Sequence, residues 1–516
     1  EDGDLTTYFL AWNIGQMLGN GIDDAQKLAY IFRERLVFFM HTHFTTKRNT
    51  VSNPRALYFQ QELFRLFAFD QDDLTVPEEP PATGTTTAPR NFKQLTKKLC
   101  VDNAMLIFLD GRFNVEGNPN ENFARELLEL YSIGRGLEGN VPEAEFVGDY
   151  FYFTEGDVQE GARVLSGFNF DDSFSNIDTE TNLPRGVIRG GTIASSHEEG
   201  TKTFSQRLAD ATVVPDDTLQ VGGNSTEASI LDEISQLVDL IYDRPETTIH
   251  ICRELYRFFV YHQVDEALQS DIIQDMADVL IANDYKIQPV IEALLTSEHF
   301  YDAGLGVDDN NFGSIIKSPL DLVVGYVRNF NLAIPDYTTE LDTFHEFVQG
   351  LLGEIDSQGM DYYEPFEVAG YAAYHQFPIF NRSWITTNYL TNRYNFIQGV
   401  ISNTSMTEMG QVDIFQFVQD NFAAVASNAR DLIIAIAEYF LPSAEGLTFD
   451  TPDVGELTVE RLSYFLNAFL FNPQIDSDPE AMWTTRWTTG QDNEVVANQL
   501  TSLFNAMFQT PEYQLM

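Results

Sequence analysis

The chain has 516 residues, 43% of them hydrophobic, and its 78 Asp and Glu against 30 Lys and Arg give a formal net charge of −48. That length exceeds what one hydrophobic core fills, so two lobes are expected, and the supply of 41 Phe and 22 Tyr excludes a disordered chain. The charge excludes nucleic acid and an anionic membrane surface as partners, because both need a basic face to displace counterions, and the densest lysine group, Lys93, Lys97 and Lys98, is a single helix face.

Helical periodicity starts early. Residues 24 to 43 place Ala25, Leu28, Ala29, Phe32, Leu36, Phe39 and Met40 on one stripe opposite Arg33 and Arg35. Residues 70 to 91 are Pro-, Thr- and acid-rich with few apolar side chains, which predicts a flexible surface insertion. The helical pattern resumes over 92 to 109. Asn118, Pro119 and Glu121 then read as a helix start, with Phe123, Leu127, Leu130 and Tyr131 as its buried stripe, and Thr154 with Asp157 repeats the capping logic before Val158, Ala162 and Leu165.

Between 168 and 205 the helical period vanishes. Short runs around Val187-Ile188 and Thr192-Ile193-Ala194, bounded by glycines, predict a small β-hairpin near 186 to 196. Helical patterns return over 225–243, 246–262, 266–283, 287–297, 317–332, 338–352, 386–402, 411–425, 428–440, 456–471 and 492–508. The fold class expected is mainly α, with two packed helical lobes, 1–302 and 303–516, and one small β excursion.

Only eight lysines occur and none follows Lys317, a composition that suits salty, halophilic or marine surroundings. Cys100 and Cys252 are the only cysteines, which leaves open one bridge between them or two separately buried thiols; the second is the expectation, because both lie in strongly apolar helical patterns. No uninterrupted apolar stretch reaches the about 18 residues a spanning helix needs. The chain opens at Glu1 without Met, which reads as a processed or truncated start.

Several segments, in order, carry a family likeness. They are Arg33 to Phe39 with His41-Thr42-His43-Phe44, Ala104-Met105-Leu106 with Leu109-Asp110, and the most specific stretch, Asn120-Glu121-Asn122-Phe123-Ala124-Arg125-Glu126-Leu127-Leu128-Glu129-Leu130. Thr154 to Gly167, His197 to Phe204, Arg253 to Val260, Ile316-Lys317-Ser318-Pro319, Val368-Ala369-Gly370-Tyr371, Ser383-Trp384-Ile385 and the closing Thr510 to Leu515 continue the register. This series resembles the domain of unknown function 1800 family, mostly secreted bacterial proteins. Met40 and Tyr371 stand where that family more often has Trp. The resemblance implies a helical fold, an extracellular or cell-surface location and a secreted protein partner.

The residues themselves supply candidate chemistry. His41 and His43, with Glu121, are candidate ligands for a divalent metal ion, although side chains two apart on a continuous helix point about 200° from each other and share an ion only if the helix ends at Thr42. Glu126 and Glu129 are candidate catalytic carboxylates, with Arg125 pairing both Glu121 and Glu129 at i,i+4 spacing. Lys202 and Lys317 stand out in a lysine-poor chain as candidate anion-binding groups, against the alternative of buried ion pairs. Trp384, beside His375, Phe380 and Arg382 in a segment that reads as surface-facing, is a candidate stacking platform.

The acidic turns Asp171-Asp172 with Asp178 and Asp308-Asp309 with Asn310 lack EF-hand spacing, and Gly134, Gly136 and Gly139 follow a helix where a dinucleotide fingerprint follows a strand. Phosphate-loop, zinc-protease and serine-hydrolase motifs do not occur. The expected function is an extracellular or cell-surface binding or structural component working with a secreted partner or by self-assembly; the alternative is a metal-dependent hydrolase acting on an extracellular polymer.

Overall fold

The computed structural model describes residues 2–70, 90–301, 315–402, 412–442, 446–450, 457–471 and 477–516. Residues 71–89 of the insertion predicted at 70–91, the lobe seam predicted at 303–313 and the Asp308-Asp309-Asn310 turn lie outside the described residues, while Asp70, Arg90 and Asn91 at the ends of that insertion are buried. Among those described the protein is mainly α-helical, with two small antiparallel two-stranded sheets. None of these helices is long and apolar enough to cross a membrane.

Local sequence explains where the helices begin. Thr154 accepts from the Asp157 amide while the Asp157 carboxylate accepts from the Thr154 amide, a reciprocal cap that opens the Glu155–Val164 helix. Ser318, Pro319 and Asp321 do the same for Pro319–Asn329. Asp102 breaks the expected 92–109 helix in two, because its carboxylate caps Met105 and starts the Asn103–Phe108 helix after Phe92–Leu99 has ended. The start predicted at Asn118 is also displaced: Asn118 bridges back to Val115, and the helix runs Asn122–Glu129 with Asn120 Oδ1 accepting from the Asn122 amide.

The β excursion differs in detail from the expected hairpin. Val187–Ile188 pairs with Phe168–Asn169, not with Thr192-Ile193-Ala194, because Gly190 and Gly191, both at positive φ, fold that stretch into a tight loop closed by Ser195 N on Arg189 O at 3.0 Å. Lys202–Thr203 pairs with Thr212–Val213 as the second sheet.

Each of two compact units gathers three chain segments. The first comprises residues 1–10, 22–313 and 363–380. Its core is aromatic: Phe39 lies 5.4 Å from Phe258 between ring centroids, and Phe44 lies 5.2 Å from Phe92 and 5.5 Å from Tyr131. The buried, unbonded thiols of Cys100 and Cys252 belong to this unit. The second unit comprises 11–21, 314–362 and 381–516 and centres on Phe330, Phe417, Phe440, Phe504 and Phe508, with Phe330 4.9 Å from Phe417 and Phe440 4.8 Å from Phe508. Trp483 is fully buried there and donates its indole N–H to Ala426 O at 2.9 Å.

Candidate functional site

The Asp24–His43 helix continues through His43, so its two histidines diverge. His41 stacks on Tyr363 at 4.0 Å between ring centroids, 1% exposed, and among the described residues neither ring nitrogen has a hydrogen-bond partner. Burial pushes its pKa down to about 3. His43 Nε2 donates to Tyr131 O at 3.0 Å, and burial, with His250 nearby, pulls its pKa down to about 4. His250, from the Pro245–Phe259 helix, donates to the adjacent carbonyl, Leu130 O, at 2.9 Å. Two neutral imidazoles therefore satisfy consecutive carbonyls where the Asn122–Glu129 helix ends. Gly134 makes room for this arrangement. Its φ is +73°, and a Cβ there would sit 2.9 Å from His250 Nδ1.

Glu121 is tied elsewhere. It bonds Arg125 at 3.2 Å, as the spacing predicts, while Arg125 grips Glu155 with two bonds of 2.7 and 2.8 Å. That pairing with Arg125 holds the Glu155 carboxyl down to about 2. The expected Arg125–Glu129 pair does not form, because Arg125 turns to Glu155 and Glu129 instead bonds Arg135 at 2.8 Å. Glu126 is buried, and that burial, with Glu129 beside it, raises its pKa to about 7. Among the described residues, no three His, Cys, Asp or Glu side chains converge as a metal-binding group.

Lys202 is fully buried and ion-paired to Glu233, whose other oxygen lies 3.2 Å from His197 Nε2. His197 Nδ1 lies 3.0 Å from Ser166 O, which completes a closed polar cluster. Burial works against the Glu233 carboxylate, but the bonds from His197 and Lys202 outweigh it and hold its pKa below the ordinary value. In the second unit, Lys317 donates to Tyr513 O at 2.7 Å and lies 4.2 Å above the Tyr513 ring, with burial lowering its pKa to about 8. Fully buried Arg393 bonds Gln514 Oε1 and Lys317 O at 2.8 and 2.7 Å, which fastens the C-terminal signature to the Ile316–Pro319 segment. Trp384 is 4% exposed, so the surface-facing platform expected from the sequence is instead a buried ring.

The acidic turn at Asp171 is also internally used: its oxygens accept from the backbone amides of Ser173, Ser175 and Asn176, while Asp178 bonds Lys98 and Arg185. The glycines 134, 136 and 139 all adopt positive φ in the turns that follow the Asn122–Glu129 helix.

One cleft draws separate signature segments together. Phe39 and His43 from the Asp24–His43 helix, Glu254, Arg257 and Phe258 from Pro245–Phe259, and Ala369, Tyr374 and His375 line it. Its free interior volume is about 20 Å³, room for one water-sized group. Gly370 permits this approach: its φ is +103°, and a Cβ would lie 2.7 Å from Thr45 Oγ1. Arg257 binds Glu138 through both terminal nitrogens and Glu254 at 3.1 Å, and His375 lies 3.0 Å from Tyr371 O and 2.9 Å from Glu367. Sequence reading missed this convergence. Its signal was present in the signature runs Arg253 to Val260 and Val368 to Tyr371, but their meeting is a tertiary fact.

Comparison with curated proteins and with solved structures finds no match. A family model described as protein of unknown function (DUF1800) matches residues 10–515, nearly the whole chain, and the protein belongs to that family.

Proposed function

We propose that this protein is a non-catalytic binding or structural component that works with a protein partner, or with copies of itself, outside the cytoplasm. The observation that carries the reading is where the cations go. Arg65 is spent on Glu34, Lys98 and Arg185 on Asp178, Arg125 on Glu155, Lys202 on Glu233 and Arg257 on Glu138. With these bases answered internally, the surplus carboxylates of a chain of net charge −48 face outward. Such a surface repels nucleic acid and anionic lipid, stays soluble in salt and attracts a cationic protein face.

The test is affinity purification of the tagged chain from its native source at graded salt. A stoichiometric protein partner or a defined self-assembly that weakens as salt rises supports the reading; a monomer that retains nothing at any salt overturns it.

A metal-dependent hydrolase draws on the position of Glu126, buried beside Glu129 on the Asn122–Glu129 helix, where burial raises its pKa to about 7, in the range of a general base. Elemental analysis decides it. Stoichiometric zinc, iron or manganese that is lost in Glu126→Gln or His43→Gln favours the enzyme, and metal-free active-source protein removes it.

A further inference from the structure

We draw no further inference here: the strongest candidate, the apolar face of Ala25, Leu28, Ala29 and Phe32 on the Asp24–His43 helix, where Leu28 is 78% exposed, carries none, because nothing in the structure shows what covers it.

Discussion

Lys202, Glu233 and His197 form a charged cluster with no exposed side-chain surface, so breaking it makes a sharp energetic prediction. Glu233→Gln leaves a buried ammonium without its counter-charge, a loss of about 3–5 kcal/mol. An independent bound agrees. The lysine can escape the penalty by folding neutral, which at pH 7 costs about 1.4 kcal/mol for each unit below the ordinary pKa of about 10.5, or about 5 kcal/mol.

The sign with pH then follows. In the variant the folded lysine binds fewer protons than the unfolded one, so stability rises with pH by about 1.4 kcal/mol per unit between pH 7 and 9. Lys202→Met with Glu233→Gln removes both charges and restores most of the loss.

The chain carries its own reporters for the assay. Both cysteines lie in the first unit, whereas Trp12, Trp384, Trp483 and Trp487 all lie in the second. Thiol labelling in graded urea therefore reads the first unit, and tryptophan fluorescence reads the second. Glu233→Gln shifts the thiol transition, which reports on the unit that holds the cluster. A shift under about 1 kcal/mol, or one insensitive to pH, would falsify the buried ion pair.

Three further outcomes are expected. His41, His43 and His250 have folded pKa values of about 3, 4 and 4, so the unfolded chain takes up protons first as pH falls below about 6.5; Asp102 and Glu126, raised to about 7, act in the opposite direction. With Glu126 discounted for its edge to solvent, the net is one to two protons and a loss of about 3–5 kcal/mol between pH 6.5 and 4.5, read by thiol labelling; a flat response contradicts the neutral histidines. His41→Phe removes two buried, unpartnered nitrogens from a ring stacked on Tyr363 and stabilises the first unit by about 1–3 kcal/mol, whereas destabilisation in calorimetry shows that His41 has a polar partner. Arg393→Met strips the donors from Gln514 Oε1 and Lys317 O and lowers the second unit's fluorescence transition by about 2–4 kcal/mol; an unchanged midpoint means that the C-terminal segment does not depend on this side chain.

The helices were legible because apolar spacing and caps act locally. Asp24–His43, Ala429–Phe440 and Asn493–Phe508 fall within a residue or two of their periodic stripes, and Thr154 announces its own cap. Pro54–Phe67 went unread although Asn53 and Pro54 mark its start. Side-chain partners were harder to read. The i,i+4 rule found Arg125–Glu121 but not the stronger Arg125–Glu155 pair, which depends on two helices meeting. Lys202 was noticed for its rarity, yet Glu233 lies 31 residues away and no local pattern joins them. Likewise the cleft assembles residues from positions 39 to 375, each ordinary in its own segment. Segment chemistry is local, while site chemistry belongs to packing.

Native mass spectrometry of the tagged chain, isolated gently from its source, bears most directly on the partner-binding account. That account predicts a particle heavier than the 58.5 kDa chain by a defined partner or by whole copies of itself, falling apart as salt rises. A single 58.5 kDa species under every condition contradicts it.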